Sequence, residues 1–307
     1  MNRFLLFLPF LAASCTTAVD EEASLAFAET VVEVPGFVDF LLVDGDTVWS
    51  TNEGRVEQWS REGKIATVEM PRPCGTMAME AGSLWVGNCE GGELYRIGPD
   101  TGQVLARIPA GIGPSGEQNV VGGAGAVWAP NQAAGTITRI DPATNSITAE
   151  IAVAPGTTFL AYGFDALWAV SSAGGTLQRI DPASNTVTGT VELGDTPGFL
   201  AAGEGAVWVQ EQGDGTVARI DPESLAVTGR TKVGDNLKWG DIDTGEGKIW
   251  LRTTDEQTFV VIEAANGEIL ARVGRPEGSG AIRYTPEGIW TSAHDVDSIN
   301  WWAQAGE

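Results

Sequence analysis

The sequence predicts an all-β chain folded as a seven-bladed β-propeller of four-stranded antiparallel blades. Three observations carry that expectation. First, tryptophan recurs at Trp49, Trp85, Trp128, Trp168, Trp208, Trp250 and Trp290, at spacings of 36, 43, 40, 40, 42 and 40 residues. A self-similar period near 40 belongs to solenoids or propellers. Second, apolar residues do not recur at helical spacing. They fall in short runs of Val, Ile, Thr and Trp, broken by Gly, Asp, Pro and Asn, which is a strand-and-turn pattern. Third, one phrase is copied: Gly125-Ala126-Val127-Trp128 is followed by Gly135-Thr136-Ile137-Thr138-Arg139-Ile140-Asp141-Pro142. It returns around Trp168 with Gly175 to Pro182, and around Trp208 with Gly215 to Pro222.

One unit gives the blade in order. Asn119-Val120-Val121 is a first strand, turned by Gly122-Gly123-Ala124-Gly125. Ala126-Val127-Trp128-Ala129 is a second, and the alternating Thr136-Ile137-Thr138-Arg139-Ile140 is a third. Asp141-Pro142-Ala143-Thr144-Asn145 is turn chemistry, because Pro presets φ and Asp or Asn bonds nearby backbone. Ser146 to Ile151 alternates again as the fourth strand. Four antiparallel strands per period make a propeller blade. The tryptophan then reads as a large ring filling the space between neighbouring sheets. The recurring Arg96, Arg139, Arg179 and Arg219 read as blade-to-blade or turn-bonding residues. Blade 1 has Gln58 at that place, blade 6 Val261 and blade 7 Trp301.

The ends fix the closure. After Trp290 the sequence offers Ser298-Ile299-Asn300-Trp301-Trp302 as a third strand and then stops at Glu307. The last blade therefore lacks its outer strand. Residues 29–34, Glu29 to Val34, match the fourth strands of other blades and are expected to complete it. Such closure removes open sheet edges. The predicted organisation is a signal segment over 1–14, a lipidated N-terminus and tether over 15–28, and one propeller domain over 29–307.

The signal expectation rests on Met1-Asn2-Arg3, the apolar run Phe4 to Leu11, and Ala12-Ala13-Ser14 before Cys15. Those are the basic, apolar and small-residue parts of an export signal. The apolar run is too short to span a bilayer. Small residues directly before a cysteine resemble a bacterial lipobox, which implies lipidation of Cys15. Residue 16 is Thr and not Asp, so the outer membrane is the expected destination over the inner. Removing Cys15 from the three cysteines leaves Cys74 and Cys89, expected to form a disulfide in an oxidising compartment. Zinc is disfavoured, since two cysteines and one distant histidine make a poor tetrahedral set. The formal net charge of −23 disfavours nucleic acid and anionic lipid as partners. The acidity reads as solubility, or as a face for a cationic ligand.

Propellers bind ligands where loops enter the first strand and leave the second, around the central channel. Three residues after each tryptophan stand Asn52, Asn88, Asn131, Ser171, Glu211, Thr253 and Ala293. Near the first strands lie Asp39, Thr76, Glu117, Asn119, Phe159, Phe199, Trp239 and Asp241. Arg252, Arg283 and His294 are the scarce basic groups nearby. The candidate mouth set is Asp39, Asn52, Asn88, Glu117, Asn131, Glu211, Trp239, Asp241, Arg252, Arg283 and His294. Asp243 and Arg283 occupy equivalent positions in adjacent blades and read as an ion pair, or as an anion clamp using Arg283. His294, the single histidine, reads as a loop residue, or as a general base. No P-loop, dinucleotide motif, catalytic triad or calcium loop is present.

The repeated Gly-x-x-Trp with Gly-Thr-hydrophobic-x-Arg-Ile-Asp-Pro-x-x-Asn resembles the propellers of virginiamycin B lyase (streptogramin lyase) and of YVTN-type repeat proteins, over residues 29–302. The resemblance implies a seven-bladed fold. It also implies a magnesium-dependent lyase that opens a cyclic depsipeptide, drawing on histidines and glutamate at the mouth. Here the loops entering the first strands read Gly156-Thr157-Thr158 or Pro197-Gly198-Phe199, without histidine. The leading expectation is therefore a non-catalytic, lipid-anchored envelope protein that binds a small molecule or an envelope protein at its mouth. No cofactor is expected, a divalent cation at the mouth aside, and the protein is expected to be a monomer. The alternatives are a lyase or hydrolase with a diverged site, and a part of a surface assembly.

Overall fold

A computed structural model describes residues 25–114, 117–237, 240–253, 257–276 and 278–304. The signal segment, Cys15, most of the tether, and Trp239 lie outside the described residues. Among the described residues 28 strands form seven four-stranded antiparallel sheets. Six sheets are consecutive meanders. The seventh joins Phe27–Glu33 to Ser298–Gln304, Gly288–Ala293 and Ile282–Thr285.

That seventh sheet closes the ring as the sequence predicts, with Phe27 opposite Gln304 and Glu33 opposite Ser298. The closing strand begins two residues before the expected Glu29. The partner strand runs on to Gln304, so Phe27 and Ala28 find rungs. Phe27 also packs edge-on to Phe259, with ring centroids 5.4 Å apart, and to Trp250 at 6.2 Å. Burial of that ring fixes the start of the strand.

The first strand of blade 3 differs more. It spans Val121–Gly123, three residues, and not Asn119–Val121. Residues 118–120 are diverted sideways to the neighbouring blades. Thr76 N donates to the Gln118 carbonyl at 2.9 Å, and Asn119 N donates to the Thr158 carbonyl at 3.0 Å. The approach to blade 2 needs Gly75, which sits at φ +72°, where any Cβ would collide with the Gln118 carbonyl.

The seven repeated tryptophans are 0–1 % exposed. In blades 2 to 5 each indole donates to the carbonyl five residues earlier, at 3.0 Å. Each ring packs on the next blade; Trp128, for example, lies with Leu160, Leu167 and Ala169 of blade 4. Burying about 150–250 Å² of ring at ~25 cal/mol per Å² gives an upper figure of about 4–6 kcal/mol apiece. Arginines lock the same seams. Arg139 Nη1 donates to Pro182 O and Asn185 Oδ1, both at 2.8 Å, while its guanidinium lies 5.0 Å from the Trp128 ring centre. Arg96 does the same to Pro142 O at 2.5 Å and Asn145 Oδ1 at 2.9 Å. The Asp-Pro-x-x-Asn turn of one blade is thus the acceptor for the arginine of the preceding one.

Candidate functional site at the channel mouth

Polar side chains three residues after the tryptophans are turned onto the loops around them. Asn52 accepts from Phe37 N and Glu53 N, both at 2.7 Å, and donates to Glu57 Oε2 at 2.9 Å. Asn88 accepts from Arg72 N at 3.1 Å. Asn131 accepts from Ala134 N at 3.2 Å, and Ser171 from Gly174 N at 2.9 Å. Glu211, fully buried, accepts from Gly194 N at 2.7 Å, Thr216 Oγ1 at 2.6 Å and Arg230 Nε at 2.8 Å. Burial pushes the Glu211 carboxyl up, but Arg230, Thr216 and the Gly194 amide outweigh it and hold the group below its ordinary value. Each of these residues ties the loop leaving a second strand into the surrounding backbone.

Arg252 does the same work with a charge. It is fully buried and donates to four carbonyls: Thr253 at 2.6 Å, Thr258 at 2.5 Å, Gly278 at 2.7 Å and Ser292 at 3.2 Å. Burial pulls its guanidinium down to about 10. It pins blade 6 to blade 7.

What remains open at the mouth is a smaller set. Asp39 of blade 1 stands beside His294 of blade 7 and within electrostatic reach of Glu117 of blade 3. Asp39 Oδ1 lies 3.7 Å from His294 Nδ1, beyond hydrogen-bond distance, and Nδ1 has no hydrogen-bond partner. The Glu117 carboxyl is pushed up by burial and then by the charge of Asp39. Phe37, half exposed, stacks on His294 with ring centroids 4.0 Å apart. Beside them a cavity of about 520 Å³ opens between blades 1 and 2, lined by Phe37, Asp39, Phe40, Arg72, Cys74 and Glu90 among others. Sequence reasoning placed Asp39, Glu117 and His294 here. It missed Phe37, Arg72 and Glu90, because they lie in loops that do not repeat, and Phe40, which repeats the position of Phe159 and Phe199. The Cys74–Cys89 disulfide forms as expected, with Cα atoms 6.0 Å apart, and Gln118 Nε2 reaches Cys89 Sγ at 3.7 Å. The disulfide thus abuts the loop that carries Glu117.

Below the mouth the channel is plugged. Phe40, Phe159 and Phe199, each nine residues before its tryptophan in blades 1, 4 and 5, are buried. Phe159 and Phe199 centroids are 4.6 Å apart and Phe40 and Phe199 centroids 6.1 Å, so the rings meet across the axis. Asp241 and Arg283 belong to a second cavity, of about 380 Å³, along the inner strands. Arg283 pairs with Asp241 at 2.5 Å, and not primarily with the equivalent Asp243. Asp243 already accepts from Thr244 N and Tyr284 N, both at 2.9 Å, while the long arginine reaches one level further to Asp241. Burial pushes both aspartates up despite Arg283.

Magnesium demands near-octahedral oxygen ligation. Among the described residues no three His, Cys, Asp or Glu side chains converge as metal ligands. Among the described residues at the mouth, Asp39 acts on Glu117 by its charge, and Glu117 is shifted toward holding a proton. This donor set does not fit the metal that the resemblance implies, and no step is assigned to it.

Fold and mouth together define a class: a seven-bladed propeller with a plugged channel and an acidic, aromatic opening. The chain is similar in structure to a catalytically inactive histidine-to-alanine form of virginiamycin B lyase from Staphylococcus aureus with quinupristin, at TM-score 0.77 and 17% identity, covering 91% of this chain and 99% of that one. A streptogramin B lyase structure matches at TM-score 0.78 and 16% identity, covering 93% and 99%. The Cps50 (Swd1) β-propeller domain of Myceliophteria thermophila matches at TM-score 0.75 and 14% identity, covering 90% and 99%. No family model and no curated protein matches the chain. At these identities the likeness concerns the fold.

Proposed function

We propose that the chain is a non-catalytic, lipid-anchored propeller of the cell envelope that binds a ligand at its mouth, in the cavity between blades 1 and 2. The observation that carries this reading is the division of labour at the mouth. Asn52, Asn88, Ser171, Glu211 and Arg252 are spent on their own loops, and Phe40, Phe159 and Phe199 close the channel beneath. That leaves a walled cavity of ligand size with an aromatic face and carboxylates at its rim. A small molecule fits it; an envelope protein presenting one side chain is the other partner class. Native mass spectrometry of the purified protein tests the reading. A bound mass that is lost on Phe37→Ala together with Asp39→Asn supports it, whereas a bound mass unaffected by both changes places the ligand elsewhere. The anchor is tested by intact mass: a mature N-terminus at Cys15 carrying lipid, and release of a Cys15→Ala form from membranes.

A second reading is a lyase of the streptogramin type. It is favoured by the lone histidine standing at the mouth with an unpartnered Nδ1 facing Asp39, and by likeness to a lyase made inactive by replacing a histidine with alanine. His294 would remove the proton and Asp39 would hold the imidazolium. Depsipeptide opening by the wild type, lost in His294→Ala, would establish this reading; equal rates in both forms would remove it.

A further inference from the structure

The cavity of about 520 Å³ between blades 1 and 2 brings together two kinds of wall. One is aromatic. Phe37 is 50 % exposed, its ring is stacked on the His294 imidazole, and Phe40 of the plug shares the lining with it. A single exposed ring on a surface is ordinary. This one lines a space large enough for a small molecule.

The other wall is acidic. Asp39, Glu53 and Glu90 line the cavity against one base, Arg72. Among the described residues no ion pair joins Arg72 to any of the three. Nor does a hydrogen bond reach the Asp39 carboxylate there, since His294 Nδ1 stands 3.7 Å away, out of bonding range. This sets Asp39 apart from the other carboxylates of the loops. Glu57 is held by Asn52, Arg55 and Lys64, and Glu211 by Gly194, Thr216 and Arg230. Glu117 reports the same imbalance from blade 3. Its carboxyl is pushed up by burial and then by the charge of Asp39, with no basic group working against them as Arg55 does for Glu57 and Arg230 for Glu211. The field around Asp39 is negative, and the chain does not balance it.

An acceptor without a donor, in a negative field beside aromatic rings, narrows the occupant. An anion is repelled. A metal ion needs more oxygen ligands than converge among the described residues. A protonated amine suits both walls, because its N–H groups donate to a carboxylate and its charge is favoured near an aromatic face. We propose, on the reading of the mouth as a ligand site, that the ligand is a small organic cation: a protonated amine on an apolar body, with the ammonium bonded to Asp39 and the body against Phe37.

The experiment titrates the whole protein calorimetrically with four probes that share one apolar body and differ in the head group: phenylpropylammonium, its trimethylammonium form, neutral phenylpropanol and anionic phenylpropionate, at neutral pH and fixed ionic strength. The primary ammonium is expected to bind about tenfold more tightly than the alcohol. The trimethylammonium form, which keeps the charge but has no N–H, should fall between them, and the carboxylate should bind most weakly. Asp39→Asn, which keeps the shape of the side chain, should erase the advantage of the ammonium and leave the affinity of the alcohol as it was. Phe37→Ala should weaken every probe. The ranking in the unmodified protein does not depend on how any variant folds. Alcohol or carboxylate binding as tightly as the ammonium, and lost in Phe37→Ala, overturns the cationic class while the mouth stays the ligand site. Ammonium binding unchanged in Asp39→Asn overturns the proposal as well. So does failure of both cations to bind; the mouth as a site is then decided separately, by whether the bound mass of the purified protein responds to Phe37→Ala with Asp39→Asn.

Discussion

Removing the disulfide is the perturbation whose size can be worked most directly. Cys74 lies in the first strand of blade 2, opposite Gly87, and Cys89 lies one residue past the strand that ends at Asn88. The bond closes a loop of sequence separation 15. Restricting such a loop in the unfolded chain contributes roughly 3 kcal/mol. Both sulfurs are buried among Trp85, Leu94, Ile112 and Val120, so Cys74→Ala with Cys89→Ala leaves small apolar groups in an apolar setting and removes the long contact to Gln118 Nε2, which keeps its bond to the Gly113 carbonyl. With about 2.1 cal/mol/K per residue of unfolding entropy, a ring of some 280 residues has ~0.6 kcal/mol/K, and 3 kcal/mol becomes a fall in Tm of about 5 °C. Calorimetry of the double variant against wild type, with and without reductant, measures it. Reductant should lower wild type to the variant's Tm and leave the variant unmoved. A fall below about 1 °C, or a variant that still responds to reductant, would refute the reasoning. The change should also disturb Glu117, since Gln118 bonds to Cys89 Sγ.

Three further outcomes are expected. Arg139→Ala removes two bonds to the turn of blade 4 and the contact with Trp128, and should cost about 1–3 kcal/mol by urea unfolding. Arg219→Ala, which removes a bond within its own blade to Thr228, should cost less. Glu57, buried with Arg55 Nε at 2.9 Å and Lys64 Nζ at 3.1 Å, is pushed up by burial but held below its ordinary value by Arg55, Asn52 and Lys64. Its folded pKa is depressed, as is that of Glu211, so the stability both contribute is complete above about pH 4.5 and drains as pH falls through their lowered values. Tm against pH should therefore fall less steeply on acidification in Glu57→Gln, from a lower neutral starting point. Glu117 has the opposite sign: its folded pKa is raised, so its charge opposes folding as pH rises through that value, and Glu117→Gln should leave Tm at neutral pH equal to or above wild type.

The architecture was legible because a propeller repeats its packing. The tryptophan phase, the Asp-Pro turns and the arginines are local signals copied blade by blade, and Arg96 and Arg139 meet the turn of the following blade. The mouth was legible only as a location. The sequence register puts Asn52, Asn88 and Glu211 at the opening, but it says nothing of which loop each side chain folds back upon. Asp243 and Arg283 illustrate the limit. Equivalence in the repeat pairs them, yet backbone amides had already filled the Asp243 carboxylate, and the reach of an arginine chose Asp241 instead. Phe40 joined the plug unannounced, because its partners Phe159 and Phe199 come from the other side of the ring.

The closing sheet has a kinetic consequence. Its outermost strand, Phe27–Glu33, and its neighbour, Ser298–Gln304, come from opposite ends of the chain. Six blades can form from local hairpins as soon as their residues are free, but the seventh must bring together segments more than 260 residues apart. The entropy of that closure grows only slowly with length, so equilibrium stability suffers little. The rate suffers more, because pairing of such separation is what slows β folds. Until the last strand arrives, the outer edge of Ser298–Gln304 stays unpaired and the Phe27 ring does not cover Trp250 and Phe259. The ring is therefore most vulnerable to aggregation and proteolysis in the interval before its two ends meet.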